Sequence, residues 1–180
     1  MTKKPEATIK SRFELFEREE DDLVYDDEKT LNPFTGYTQD FHANGQLWFE
    51  GNYKNGKQEG LHQSFHENGQ LSFVGNFDKG FKDSLFEYYY ENGILRSKGI
   101  YKNGKPEGLH QSFYANGQLQ FKLNYKNRKP EGTHEQFHKN GQLANRQNYK
   151  NGKREGRYES FHKNGQLRWI RNYKNGELIE

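Results

Sequence analysis

Along this chain Phe, Tyr and Leu gather in short runs, each closed by a polar turn and none long enough for a helix. Asn-Gly recurs at Asn44-Gly45, Asn68-Gly69, Asn92-Gly93, Asn116-Gly117, Asn140-Gly141 and Asn164-Gly165, a constant spacing of 24. A second series stands at Asn55-Gly56, Asn103-Gly104, Asn151-Gly152 and Asn175-Gly176, with Lys79-Gly80 and Asn127-Arg128 as variants. Turns therefore alternate every 11 and 13 residues. Apolar runs bounded by Asn-Gly are the signature of β-hairpins, and self-similarity at a fixed period is that of a repeat array. The pattern predicts an all-β fold, an elongated, single-layer antiparallel β-meander of about six 24-residue hairpin repeats.

Side chains alternate faces along a strand, and the repeat length is even. Phe41, Leu47, Phe49, Tyr53, Leu61, Phe65, Leu71, Phe73, Phe77, Tyr89, Leu95, Tyr101, Leu109, Phe113, Leu119, Phe121 and Tyr125 are all odd-numbered, which predicts one apolar face. Keeping Phe65 and Leu71 on one face centres their pairing on Asn68. The loop Glu67-Asn68-Gly69 is then a type I turn followed by Gly in the left-handed region. The even positions predict a polar face with two columns: His42, His66, Tyr90, Tyr114, His138 and His162, and His62, Phe86, His110, His134 and Tyr158. Equivalent positions lie two strands apart, roughly 9.5 Å. That is too far for imidazoles to converge on one ion at about 2 Å, so no metal site is expected and the column reads as a solvated or partner-facing His/Tyr ladder.

Composition narrows the reading. Only 30% of residues are hydrophobic and mean hydropathy is −1.32, so a conventional two-layer core is not expected. Aromatic residues reach 16%, and large rings can supply the apolar area that a low Leu, Ile and Val content does not. Cys is absent, which excludes disulfides, thiolate metal sites and a Cys nucleophile. No apolar run has the length of a membrane span and the first twenty residues hold no apolar signal core, so a cytoplasmic location is expected.

Charge is uneven. Residues 1–30 carry 10 acids and 6 bases, residues 31–125 carry 9 of each, and residues 126–180 carry 6 acids and 13 bases. Residues 1–30 read as an acidic leader or cap over the first sheet edge, and 31–180 as the repeat array. Glu19, Glu20, Asp21 and Asp22 sit at the centre of the acidic run and are candidates for contact with a basic cleft of a partner. Deleting residues 1–30 is expected to leave the repeats folded. The basic end, with Tyr149, Trp169 and Tyr173 nearby, gives the alternative of contact with nucleic acid or anionic lipid. Glu59, Glu107, Glu131 and Glu155 each precede a turn Gly and recur in register, which assigns them to turn structure. No nucleophile elbow, phosphate-binding loop or isolated carboxylate pair occurs, so neither an enzyme nor a cofactor is expected.

The unit F-H-x-N-G-Q-L-x-x-x-x-N-Y-K-N-G-K-x-E-G, at Phe41 to Gly60 and in truncated form at Phe161 to Gly176, resembles the bacterial variant of the MORN repeat. Asn32-Pro33-Phe34-Thr35-Gly36 resembles the way such arrays begin. The chain departs from the unit at Asp83-Ser84 and Asn127-Arg128. It departs again where the strand glycines Gly51, Gly75 and Gly99 give way to Leu123, Gln147 and Arg171. The resemblance implies an antitoxin or immunity protein that neutralises a cognate protein toxin by direct contact. In the parent repeat it implies membrane attachment and scaffolding. The residues expected to meet the partner are the acidic quartet, the column from His42 to His162, and Trp48.

Overall fold

A computed structural model of the chain describes residues 9–11, 15–18, 23–26 and 31–179. The short strands β1 (Ile9–Lys10), β2 (Phe16–Arg18) and β3 (Leu23–Tyr25) precede the array. The array runs through β4 (Gly36–Phe41), β5 (Leu47–Lys54), β6 (Lys57–Phe65), β7 (Leu71–Asp78), β8 (Phe81–Tyr89) and β9 (Leu95–Lys102). It continues with β10 (Lys105–Phe113), β11 (Leu119–Lys126), β12 (Lys129–Phe137), β13 (Leu143–Lys150), β14 (Lys153–Phe161), β15 (Leu167–Lys174) and β16 (Glu177–Leu178). From β4 to β16 every strand pairs antiparallel with the next in sequence, and β1 adds a parallel strand beside β4, giving one 14-stranded sheet. No helix occurs among the described residues.

Two kinds of turn build the meander. At one end Asn55 and Gly56 both have positive φ (50° and 75°) between the paired Lys54 and Lys57, a two-residue type I′ turn. At the other, the Gly69 amide donates to the His66 carbonyl and the His66 amide to the Gln70 carbonyl, both at 2.8 Å, closing the three-residue loop with Gly69 at φ 80°.

The apolar face differs from the odd-numbered one expected. A two-residue turn pairs odd with even, so Tyr53 lies opposite Gln58. The three-residue loop keeps Phe65 opposite Leu71, but a register shift immediately beside it sets Ser64 opposite Phe73. Odd residues of β5, β7, β9, β11, β13 and β15 therefore share a face with even residues of β6, β8, β10, β12 and β14. His62, Phe86, His110, His134 and Tyr158 consequently join the aromatic face instead of opposing it. His62 and Phe86 are fully buried, whereas Leu61 and Leu109, expected on the aromatic face, are exposed on the other one. Ring centroids follow one another across the sheet from Tyr53 to His62 at 5.5 Å and His62 to Phe77 at 4.9 Å. The run continues through Phe77–Phe86 at 5.2 Å, Phe86–Tyr101 at 5.3 Å, Tyr101–His110 at 5.1 Å and His110–Tyr125 at 4.9 Å. Largely edge-on contacts of this kind are favourable beyond the area they bury.

The strand glycines make room for this row. Gly51, Gly75 and Gly99 lie directly opposite His62, Phe86 and His110, whose rings rest on the glycine backbone. The chain thus uses aromatic rings seated over glycine where a two-layer protein would use a second sheet.

The Glu-Gly pair introduces an irregularity. Asn52 pairs with Glu59 but Gly51 with His62, so Gly60 and Leu61 have no partners on β5. Gly60 takes φ 70°, and its equivalent Ser84 is held at φ 73°. A side chain in that region costs about 1–2 kcal/mol. Ser84→Gly should therefore raise stability by about 0.5–1 kcal/mol once the greater freedom of glycine in the unfolded chain is deducted. A urea midpoint unchanged or lowered by this substitution would contradict the strain assigned to Ser84.

Candidate binding surfaces

Each repeat is tied to the next by side chains reaching backbone. Asn44 Nδ2 donates to the Glu67 carbonyl at 2.9 Å and Asn68 Nδ2 to the Glu91 carbonyl at 2.7 Å, with the same bond from Asn92, Asn116 and Asn140. At the type I′ end, Glu59 accepts from the Lys79 amide at 3.0 Å, Glu131 from Asn151 at 2.7 Å and Glu155 from Asn175 at 2.9 Å. Three of the four recurrent glutamates thus hold turns.

The His/Tyr column serves the same purpose. His42 and His66 place Nε2 2.9 and 3.0 Å from the carbonyls of Phe65 and Tyr89. A carbonyl only accepts, so the imidazoles donate through Nε2–H. The hydroxyls of Tyr90 and Tyr114 donate to the Phe113 and Phe137 carbonyls at 2.9 and 2.7 Å, and His138 reaches the Phe161 carbonyl at 3.1 Å. These five side chains are half-buried with their polar tips turned to the next repeat, while His162, in the last repeat, is exposed. Trp48 is 36% exposed and its ring lies 6.4 Å from those of His42 and Phe49. Glu19, Glu20, Asp21 and Asp22 lie outside the described residues.

Beyond the aromatic row, the other face of the sheet shows two features. Leu61, Leu85, Ile100 and Leu109 are exposed on β6, β8, β9 and β10, each 44–46%, with Leu85 directly opposite Ile100 and Leu61 opposite Asn76 of β7. Sequence parity assigned Leu61 and Leu109 to the same face as the aromatic rings and so missed this exposed set. Beside it runs a cross-strand row of charge. Lys122 Nζ stands 2.7 Å and Arg146 Nε 2.9 Å from the Glu135 carboxylate, Arg146 Nη1 is 3.7 Å from Glu159, and Arg157 Nη2 is 3.4 Å from Glu159. Burial alone would raise the Glu135 carboxyl, but Lys122 and Arg146 outweigh it and hold the group below the usual carboxylate range.

On the aromatic face, β12 to β14 break the ring pattern. Gln136, Asn145 and Gln147 stand where earlier repeats place Tyr88 and Ser112, Phe73 and Phe121, and Gly75 and Gly99. With His134, Tyr149, Arg154 and Tyr158 they line a cavity of about 80 Å³. The Arg154 guanidinium lies 5.4 Å from the Tyr158 ring and 5.2 Å from that of Tyr173. A hydrogen bond with Tyr149 is the chief cause that raises Arg154 above its ordinary value. Burial first, then the Arg154 charge, pushes His134 down and favours its neutral form. The departure at Gln147 was visible in sequence, but not that Asn145 and Gln136 would meet it.

Among the described residues no group of three or more His, Asp or Glu could hold a metal ion, and no helix is long and apolar enough to cross a membrane.

The family model described as "MORN repeat variant" matches six segments, residues 34–55, 58–79, 82–103, 106–127, 130–151 and 154–175. No curated protein matches the chain. Among solved structures, "Crystal structure of GtfA/B complex bound to UDP and GlcNAc" is similar over 87% of this chain and 28% of that one, at 13% identity and a TM-score of 0.21. This chain thus spans well under half the length of that solved chain, and the likeness is too slight to bear on function.

Proposed function

Because this chain belongs to the MORN repeat variant family, we propose that it is a non-catalytic repeat scaffold that binds a partner protein through the exposed apolar patch of its second to fourth hairpins. The observation that carries this reading is the set Leu61, Leu85, Ile100 and Leu109, each nearly half exposed on a single-layer sheet whose own rings fill the opposite face. Residues 31–125 around the patch carry 9 acids and 9 bases, with Glu50, Glu87 and Lys98 beside it. A neutral, mixed-charge surround suits a protein interface and lacks the excess of cations that anionic lipid or nucleic acid attracts.

The basic units supply little support for the alternative of docking to nucleic acid or membrane. Arg146 and Arg157 are paired with carboxylates, and Arg154 and Arg171 lie over the rings of Tyr158 and Trp169. The finer reading, which rests on the family resemblance, is that the partner is a toxin neutralised by direct contact. The acidic quartet Glu19 to Asp22, Trp48 and the exposed His162 would then add contacts outside the patch.

A photo-crosslinking residue placed at Leu85 in the native cell should capture one protein species, identified by mass spectrometry. Leu61→Asp with Leu109→Asp should weaken that complex by about tenfold or more. Adducts with lipid or nucleic acid would sink the patch reading. The partner expressed without this chain should arrest growth and co-expression should restore it; a harmless partner would leave a scaffold and remove the toxin.

A further inference from the structure

We propose that the cavity between β12, β13 and β14 is a binding site for a primary carboxamide. It lies on the face opposite the apolar patch and stands or falls independently of the partner-protein reading. Gln147 is 4% exposed and its Nε2 donates to the Asn148 carbonyl at 2.7 Å. That bond fixes the amide orientation, since the flipped group would set oxygen against oxygen. Gln147 Oε1 is then a buried acceptor with no hydrogen-bond partner among the described residues. A buried acceptor left without a donor is costly, and native structures rarely leave one so.

The remaining lining defines what fits. Asn145 Nδ2 donates to Gln136 Oε1 at 3.1 Å, and with this assignment the Gln136 NH2 is a further donor. Arg154 supplies N–H groups at the same cavity, and Tyr149, Tyr158 and His134 give it aromatic walls. The site therefore offers one fixed acceptor and a set of donors around a narrow space. At about 80 Å³ it exceeds the roughly 10–15 Å³ that holds one water and admits a small planar group. A carboxylate meets the donors but sets its oxygens against Gln147 Oε1. An ammonium meets Gln147 but faces Arg154. A carboxamide meets both, donating through its NH2 to Gln147 and accepting through its carbonyl from Arg154 or Gln136. Side-chain amides of Asn or Gln in a polypeptide and a free amide such as glutamine share this chemistry.

The departures in sequence support a built site rather than a packing fault. The glycine of the first three repeats, Leu123 in the fourth, becomes Gln147; Phe121 of the preceding repeat becomes Asn145; and the place of Lys82 in the third hairpin is taken by Arg154.

The test is a titration of the full chain, labelled with ¹⁵N, with acetamide and separately with acetate, reading the Gln147 side-chain NH2 and the Arg154 Nε–H signals. Acetamide should shift both saturably, with an affinity on the order of millimolar, while acetate leaves Gln147 unmoved. Gln147→Gly, which restores the residue of the first three repeats, should abolish the response while the sheet amides stay dispersed. Gln147→Leu keeps the volume without the acceptor and should weaken binding at least tenfold. A blocked glutamine peptide binding more tightly than acetamide would assign the source to a polypeptide, and free glutamine binding more tightly would assign it to a small molecule. Acetate binding as well as acetamide, or no saturable shift because the cavity holds water only, overturns the proposal.

Discussion

Gly75→Ala is expected to destabilise the sheet by about 2–3 kcal/mol, well beyond the effect of alanine at a loop glycine. A Cβ built on Gly75 would stand 2.5 Å from the Phe86 ring, and that ring is fully buried between Phe73, Phe77 and Tyr101 at centroid distances of 5.7, 5.2 and 5.3 Å. The ring cannot lift without opening contacts on both sides. Phe86→Ala should itself cost about 3–4 kcal/mol through the cavity it leaves. The two changes concern one contact, so together they should cost less than their sum by about 1 kcal/mol or more. The control is Gly45→Ala. Gly45 has φ 82° and nothing within 4 Å of its built Cβ, so only the backbone conformation, about 1 kcal/mol, is at stake. Urea unfolding of the four variants decides the matter. Equal losses at Gly75 and Gly45, or strict additivity with Phe86→Ala, would mean that glycine is not there to seat the ring.

The same contact shows how far the fold could be read from residues alone. Asn-Gly pairs announce turns because few other dipeptides tolerate positive φ, so the 24-residue hairpin grid and the loop at Gly69 were legible directly. Face assignment was not. It rested on unbroken alternation, whereas the two-residue turn at Asn55-Gly56 pairs Tyr53 with Gln58 and the shift beside the three-residue loop sets Ser64 opposite Phe73. Each reverses parity, and neither changes the spacing. His62 and Leu61 thus exchange their expected places, and with them the exposed patch. The His/Tyr column was correctly seen as a column, but its bonds run to carbonyls 23 residues ahead, a relation the spacing does not reveal. The Gln147 cavity stayed hidden for a related reason. Gln136, Asn145 and Gln147 meet only once the register is known, although each departs from its repeat position in plain sight.

Val24→Asp should unfold the first hairpin while leaving the last ones intact. Val24 is buried with Phe34 and Tyr53, and Leu15 packs against that cluster. Its amide donates to the Gly56 carbonyl at 2.9 Å and its carbonyl accepts from the Phe34 amide at 2.8 Å, so β3 binds the β5–β6 turn by backbone as well as by side chain. An unpaired carboxylate in this cluster costs about 2–4 kcal/mol. Removing residues 1–30 would also withdraw β1 from the edge of β4, where Ile9 pairs with Tyr37 and Lys10 with Thr38. In a sheet where each strand meets only its neighbours, such losses stay local, because stability is close to a sum over repeats and their interfaces. Hydrogen exchange followed by residue should therefore show β4 and β5 losing protection while β13 to β15 keep theirs. On this prediction, a chain without its first thirty residues should keep the later repeats folded and lose the first. Uniform loss of protection from β4 to β15 would instead show that the 14-stranded sheet unfolds as one unit, with the first hairpin holding the whole array.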